Sequence, residues 1–173
     1  MTASPPEPHL IVSADGRALW RGRRYRCAIG SGAIRADKRE GDGATPAGRY
    51  RLIRVLYRAD RGPAPATILP VAALDPADGW CDEPADPDYN RPVRLPHRAR
   101  GETLWRDDRL YDLLAVTDHN AEPAVPGAGS AIFVHVARPD YGPTRGCVAF
   151  APDDLRKILA EWTEEDRLVV PGE

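Results

Sequence analysis

Prolines and glycines punctuate this chain so densely that long helices have little room to form. The 18 prolines and 15 glycines stand against one methionine and two phenylalanines in 173 residues. That balance favours many short segments joined by turns over a helical bundle. A mainly β architecture with one or a few short helices is therefore expected. The length suits one domain and is enough to bury a core without disulfide staples. Residues 1–8 are proline-rich and expected to be loose, with residues 9–173 forming the domain.

The punctuation divides the chain into recognisable elements. "HLIVSADGRALW" reads as strand, turn, strand, because Asp15-Gly16 can supply the positive φ angles of a tight hairpin. "RYRCAIG" continues as a third strand. The polar loop "SGAIRADKREGDGATPAG" is long for a mere connection, and such loops often carry function. In "RYRLIRVLYR" the apolar phase shifts at Leu52-Ile53, which indicates a bulge or burial on both faces. Residues 59–101 are rich in proline and aspartate, yet Trp80, Tyr89 and Leu95 give them anchors that a linker lacks, so an ordered excursion is expected. "LYDLLAVTD" and "SAIFVHVA" are further strands. "PDDLRKILAEW" is the helix, with Leu155, Ile158, Leu159 and Trp162 on one stripe and Pro152 at its first position. "DRLVV" closes the sheet.

Charge excludes some functions. The formal net charge is -2, from 24 basic and 26 acidic residues intermixed along the chain, which is not the basic footprint of a nucleic-acid binder. The densest basic patch, "WRGRRYRC", reads as a solvated strand face or as a substrate-steering surface. No run of about 18 apolar residues is present to span a membrane. The first residues, "MTASPPEPHLIV", have neither the basic nor the apolar region of a signal peptide. Cys27, Cys81 and Cys147 are too few and too scattered for a disulfide framework.

Chemistry converges on the segment that follows "SAIFVHVA". His135 alternates with Val134 and Val136 and so lies on the opposite face of its strand from those branched residues. Twelve positions later comes Cys147, reached through "RPDYGPTRG". A strand, a reversing loop and a second strand bring the two side chains toward one another. A free thiol with a pKa near ~8.5 is mostly protonated at neutral pH and needs a base or a nearby cation to act as a nucleophile. His135 can be that base, and Arg145 adds a cation two positions before the sulfur. Gly146 permits a tight backbone approach in which the amides of Gly146 and Cys147 face a reacting carbonyl as an oxyanion hole. The competing reading is a buried structural cysteine at the start of "CVAF". A metal site built from Cys147, His135 and His119 lacks paired ligand spacing.

The ordered set "GDGATPAGRY", "SAIFVHV" and "PTRGCVAF", followed by the "PDDL" helix, resembles the catalytic domain of the L,D-transpeptidases, the YkuD-type domain. Within it "TPAGRY", Thr45 to Tyr50, is similar to the family's threonine-proline-x-glycine stretch, and "TRGC" to its serine/threonine-x-glycine-cysteine signature. The resemblance spans about residues 10 to 170. Departures are visible: only eleven residues separate His135 from Cys147, Arg145 stands where histidine is frequent, and Val136 replaces a glycine.

This resemblance implies a curved two-sheet β-sandwich or barrel. It implies that Cys147 attacks a peptide carbonyl on an L-centre followed by a D-residue, with His135 as base and then acid. A diaminopimelate amine of a neighbouring peptidoglycan stem then takes the acyl group. "DYNRPVRLP" and "LWRDDRLYDLLAVTDHN" are similar to a compact proteobacterial branch, some of whose members join L-alanine to diaminopimelate. No metal or organic cofactor is implied, carbapenem-type inhibitors are expected partners, and the periplasm or cell envelope is the implied location. Water as acceptor makes the same site an endopeptidase or carboxypeptidase, and a noncatalytic wall-binding module is the third reading. Stem carboxylates suit Arg91 and Arg145, while Tyr89, Asn90, His119, Asn120 and Thr144 are candidate substrate contacts or turn-forming residues.

Overall fold

The computed structural model describes residues 9–172; the proline-rich segment 1–8 lies outside the described residues. The chain begins with an antiparallel meander of β1 (His9–Ser13), β2 (Arg17–Trp20) and β3 (Arg23–Ala28). The first turn has three residues, and only Gly16, not Asp15, takes a positive φ, +75°. That geometry belongs to a three-residue hairpin loop closed by a left-handed glycine. The polar loop that follows carries the short pair β4 (Ile34–Arg35) and β5 (Thr45–Pro46).

β6 (Gly48–Tyr50) and β7 (Leu52–Tyr57) are separated by Arg51 alone, yet they sit near opposite ends of one ten-stranded sheet. Covalent continuity therefore forces the sheet to curl into a half-barrel until its ends meet. At the junction Arg51 and Asp118 exchange backbone and side-chain hydrogen bonds of 2.9 to 3.1 Å. The bulge expected at Leu52-Ile53 is present. Val116 faces Arg54 while Thr117 faces Leu52, so Ile53 is skipped by the ladder and points outward.

The excursion is ordered. β8 (Val71–Ala73) extends the large sheet, while β9 (Asp78–Cys81), β10 (Pro92–Arg94) and β11 (Gly101–Thr103) form a separate three-stranded sheet. The chain then returns to the large sheet as β12 (Leu113–Thr117), β13 (Phe133–Val136) and β14 (Val148–Phe150), passes through helix α1 (Pro152–Glu161) and ends in β15 (Arg167–Val170).

Side-chain alternation in β12, β13 and β14 gives the sheet two apolar faces. Leu113, Ala115, Val134, Val136, Val148 and Phe150 face α1, where Leu155, Ile158 and Leu159 are fully buried. Trp162 stacks on Trp20 with ring centroids 5.3 Å apart. Truncating one of these helix residues to alanine costs about 2 to 5 kcal/mol. Leu114, Val116 and Phe133 face the other way, against Trp80 of the excursion and Leu104 and Tyr111 just after it. The small sheet thus roofs one face of the half-barrel, and Cys147 belongs to this second core.

Candidate active site

β13 and β14 run parallel, with His135 beside Ala149 and Val134 beside Val148. Cys147 immediately precedes β14, so its side chain shares the face of Ala149 and His135, while Val134, Val136 and Val148 point into the core below. The two residues are diagonal neighbours, displaced by one strand spacing of about 4.8 Å and two residues, or about 6.6 Å, along the strand. Both line one cleft of about 890 Å³. Its walls are the polar loop 38–43, the edge of β11 and the turn 142–145.

The thiol is 7 % exposed and held at two points. Cys147 Sγ donates to the Ala131 carbonyl at 3.2 Å and accepts the Phe133 N–H at 3.3 Å. Ala131 reaches this position through a positive φ of +53°, an uncommon backbone state for alanine. Burial, and after it the Glu102 carboxylate, push the thiol pKa up to about 12 against the opposing Phe133 N–H. The resting group is a neutral thiol.

His135 is also buried, and desolvation of its cationic form lowers its pKa to about 4. Its Nδ1 lies 2.8 Å from the Val136 carbonyl, so Nδ1 carries the proton and donates it there. Nε2 is left with a lone pair. The group that orients the imidazole is therefore a backbone carbonyl. Tyr111 sets its ring edge to face against the imidazole at 5.2 Å.

The turn before the cysteine is built by hydroxyls and glycines. Thr144 Oγ1 donates to the Cys147 carbonyl at 2.6 Å and accepts the Gly146 N–H at 3.0 Å. The Gly146 amide is thereby engaged, whereas the Cys147 N–H has no acceptor among the described residues. Of the two amides expected to form an oxyanion hole, the Cys147 amide is the one at liberty. Gly146 has φ +134°, and a Cβ there would come 2.7 Å from the Ala44 carbonyl. A Cβ on Gly30 would come 2.1 Å from the Gly43 carbonyl. Ser31 N–H donates to Thr144 O, Thr144 N–H to Ile29 O and Gly30 N–H to Thr45 Oγ1, all within 2.9 Å. The "TPAG" threonine thus holds the loop that supports the cysteine turn.

Among the substrate contacts expected from sequence, Thr144 and Arg145 line the cleft with Cys147 and His135. Arg145 is exposed and makes no ion pair among the described residues. Tyr89, Asn90, His119 and Asn120 instead lie behind the wall. Tyr89 is buried and donates its hydroxyl to Glu40 at 2.5 Å. Asn90 accepts the Trp80 Nε1–H and the Ala131 N–H and donates to the carbonyls of His119 and Asn120. His119 bonds the Ala128 carbonyl at 3.1 Å, and the Asn120 side chain closes the turn to Val125 and Gly129. Arg91 is exposed and does not line the cleft. Glu102 and Tyr111 line it without having been expected from the sequence. Both come from "GETLWRDDRLY", where only the pairing of Glu102 with Trp80 across β11 and β9 brings them to the cysteine.

Two groups were open to metal binding. Cys147, His135 and His119 are not brought together, because His119 is turned to Ala128. Cys81, Asp86 and His97 do place their donor atoms within 4.8 Å of one another. Two of the three are engaged within the protein: Asp86 pairs with Arg98, His97 Nε2 with Asp88, and His97 Nδ1 accepts the Ala99 N–H. His97 is mostly buried by these contacts. All three cysteines are free thiols. Among the described residues no helix is long and apolar enough to cross a membrane.

Comparison with curated proteins gives no match. Comparison with protein families matches residues 2–170 to the YkuD L,D-transpeptidase catalytic domain. With nearly the whole length matched, and a histidine and a cysteine sharing one cleft, the chain belongs to the L,D-transpeptidase catalytic domain family.

Proposed function

We propose that the protein crosslinks peptidoglycan stem peptides through a thioester on Cys147. The observation that carries this reading is the presence in one cleft of Cys147 and of His135, whose Nε2 makes no hydrogen bond among the described residues, beside an unoccupied Cys147 amide. The family supplies the substrate class, stem peptides of the cell wall.

Because the thiol pKa is about 12 and that of the imidazole about 4, a resting ion pair is strongly disfavoured. Proton transfer from Sγ to His135 Nε2 therefore accompanies attack on the substrate carbonyl rather than preceding it. The developing oxyanion falls to the Cys147 N–H, in a site where burial strengthens each hydrogen bond. His135, held by the Val136 carbonyl, then passes the proton to the departing D-residue amine. A thioester to the L-centre remains, and a diaminopimelate amine resolves it into a new peptide bond. Arg145, at the rim and free of carboxylate partners, suits a stem carboxylate. Where the L-centre is L-alanine, the product is a 1,3-type crosslink; where it is diaminopimelate, the commoner 3,3-type. A peptidoglycan substrate supports a working location in the cell envelope.

Incubation with purified donor and acceptor stems tests the reading. Crosslinked dimers are expected, and tandem mass spectrometry of the new bond identifies the donor residue. Shortened monomers alone would assign the site to hydrolysis instead.

A further inference from the structure

We propose that Glu102 is the docking group for the acceptor's ammonium and the base that removes its first proton; this rests on the transpeptidase reading above. The sequence of charges around the cleft leads to it. Lys38 is paired with Asp42, Arg100 with Asp82 and Arg106 with Asp108. Glu40, which also lines the cleft, receives the hydroxyls of Tyr89 and Ser130 on one oxygen. Among the carboxylates of the cleft, Glu102 is the one whose charge acts on the Cys147 thiol. Its Oε1 accepts the Tyr111 hydroxyl at 2.5 Å and lies 3.7 Å from an Arg106 nitrogen, while Oε2 has no hydrogen-bond donor among the described residues. The side chain is 28 % exposed and lines the cleft together with Cys147 and His135.

Its charge reaches the reacting sulfur, since among the influences on the Cys147 thiol the Glu102 carboxylate ranks next after burial. That carboxylate hinders thiolate formation, so it does not serve the first half-reaction. The second half-reaction has a use for it. An alkylamine with a pKa near ~10.4 arrives protonated at neutral pH and cannot attack in that form. A carboxylate beside the thioester attracts the ammonium where a neutral site does not. Burial also raises the Glu102 pKa and makes it a better proton acceptor than an exposed carboxylate.

The step balances. The ammonium gives one proton to Glu102, and the neutral amine attacks the thioester carbonyl. As the C–N bond forms and the C–S bond breaks, His135 takes the second proton from nitrogen and returns it to the departing sulfur. Glu102 then releases its proton to water in the cleft, leaving amide, thiol and one proton.

The test uses the full chain, a donor stem peptide and two acceptors, an alkylamine stem and hydroxylamine, which is uncharged at neutral pH. The quantity read is the ratio of transfer to hydrolysis of the thioester. It counts only molecules already acylated and is blind to any misfolded fraction. In Glu102→Gln the ratio with the alkylamine acceptor should fall at least about tenfold, by way of a raised acceptor KM, while the ratio with hydroxylamine changes by less than about twofold. An unchanged ratio, or equal losses with both acceptors, would overturn the inference while leaving the transpeptidase reading standing. Failure of the unaltered protein to form any thioester would overturn both.

Discussion

Asn90 accepts the Ala131 N–H at 3.1 Å, on the same residue whose carbonyl receives the Cys147 thiol at 3.2 Å. The sulfur is thus held from the excursion through a single intervening residue. Asn90 does this while buried and at φ +57°, with all four of its side-chain hydrogen bonds made inside the protein. Asn90→Ala strands two buried donors and two carbonyls, a loss of about 4 kcal/mol at roughly 1 kcal/mol per bond. For a chain of this size that lowers Tm by about 8 to 16 °C. Calorimetry checks the loss. An unshifted Tm would mean that Asn90 is not the tie between roof and cysteine.

Gly146 is the position where the turn tolerates no side chain. With φ +134° and the Ala44 carbonyl 2.7 Å from an added Cβ, Gly146→Ala must displace backbone on one side or the other. A stability loss on the order of 2 kcal/mol or more is expected, together with a loss of acylation larger than folding accounts for. Denaturant titration and single-turnover acylation measure the two separately. The same substitution at Gly127, where no atom lies within 4 Å of an added Cβ, should leave acylation intact.

Stability should be flat between about pH 6.5 and 9 and fall on both sides. The folded pKa of His135, about 4, lies below its ordinary 6.5, so its contribution is complete above pH 6.5 and is lost as pH falls toward 4. At about 1.36 kcal/mol per unit the full loss is about 3 kcal/mol. Cys147 shifts the other way, from 9.0 to about 12, so its contribution is complete below pH 9 and is lost as pH rises toward 12. Urea unfolding across this range, repeated with His135→Gln, should show a shallower acid limb in the variant. An identical limb would place the sensitivity elsewhere.

Arg145 separates binding from activation. Its guanidinium is exposed at the rim, where water screens its effect on a buried sulfur. Arg145→Ala should raise the donor KM about tenfold, the scale of one charge-assisted hydrogen bond, and leave the pH dependence of thiol alkylation unmoved. A shifted alkylation profile would instead assign Arg145 to the sulfur.

Much of this arrangement is legible in the sequence, because alternation along a strand and the helical stripe are local properties. The face of His135, the buried stripe of α1, the ordered excursion and the bulge at Ile53 all follow from residue spacing. The hairpin at Gly16 is legible in position but not in type, since loop length is set by strand register. What spacing does not carry is which distant segments meet. Glu102 reaches Cys147 only because β11 pairs with β9 and the small sheet folds over the large one. Tyr89 and Asn90 have the composition of substrate contacts, yet burial commits their polar groups to the wall. Gly30, Gly43 and Gly146 are far apart in the chain and meet at one crowded point beneath the cysteine turn.

The central claim is that Cys147 carries the acyl group. Brief incubation with a donor stem peptide or a carbapenem, followed by intact-mass analysis and peptide mapping, reads it directly. One adduct is expected, on Cys147, absent from Cys147→Ala and strongly diminished in His135→Gln. A folded protein that stays unmodified at Cys147, or that is modified equally at Cys27 or Cys81, would contradict it.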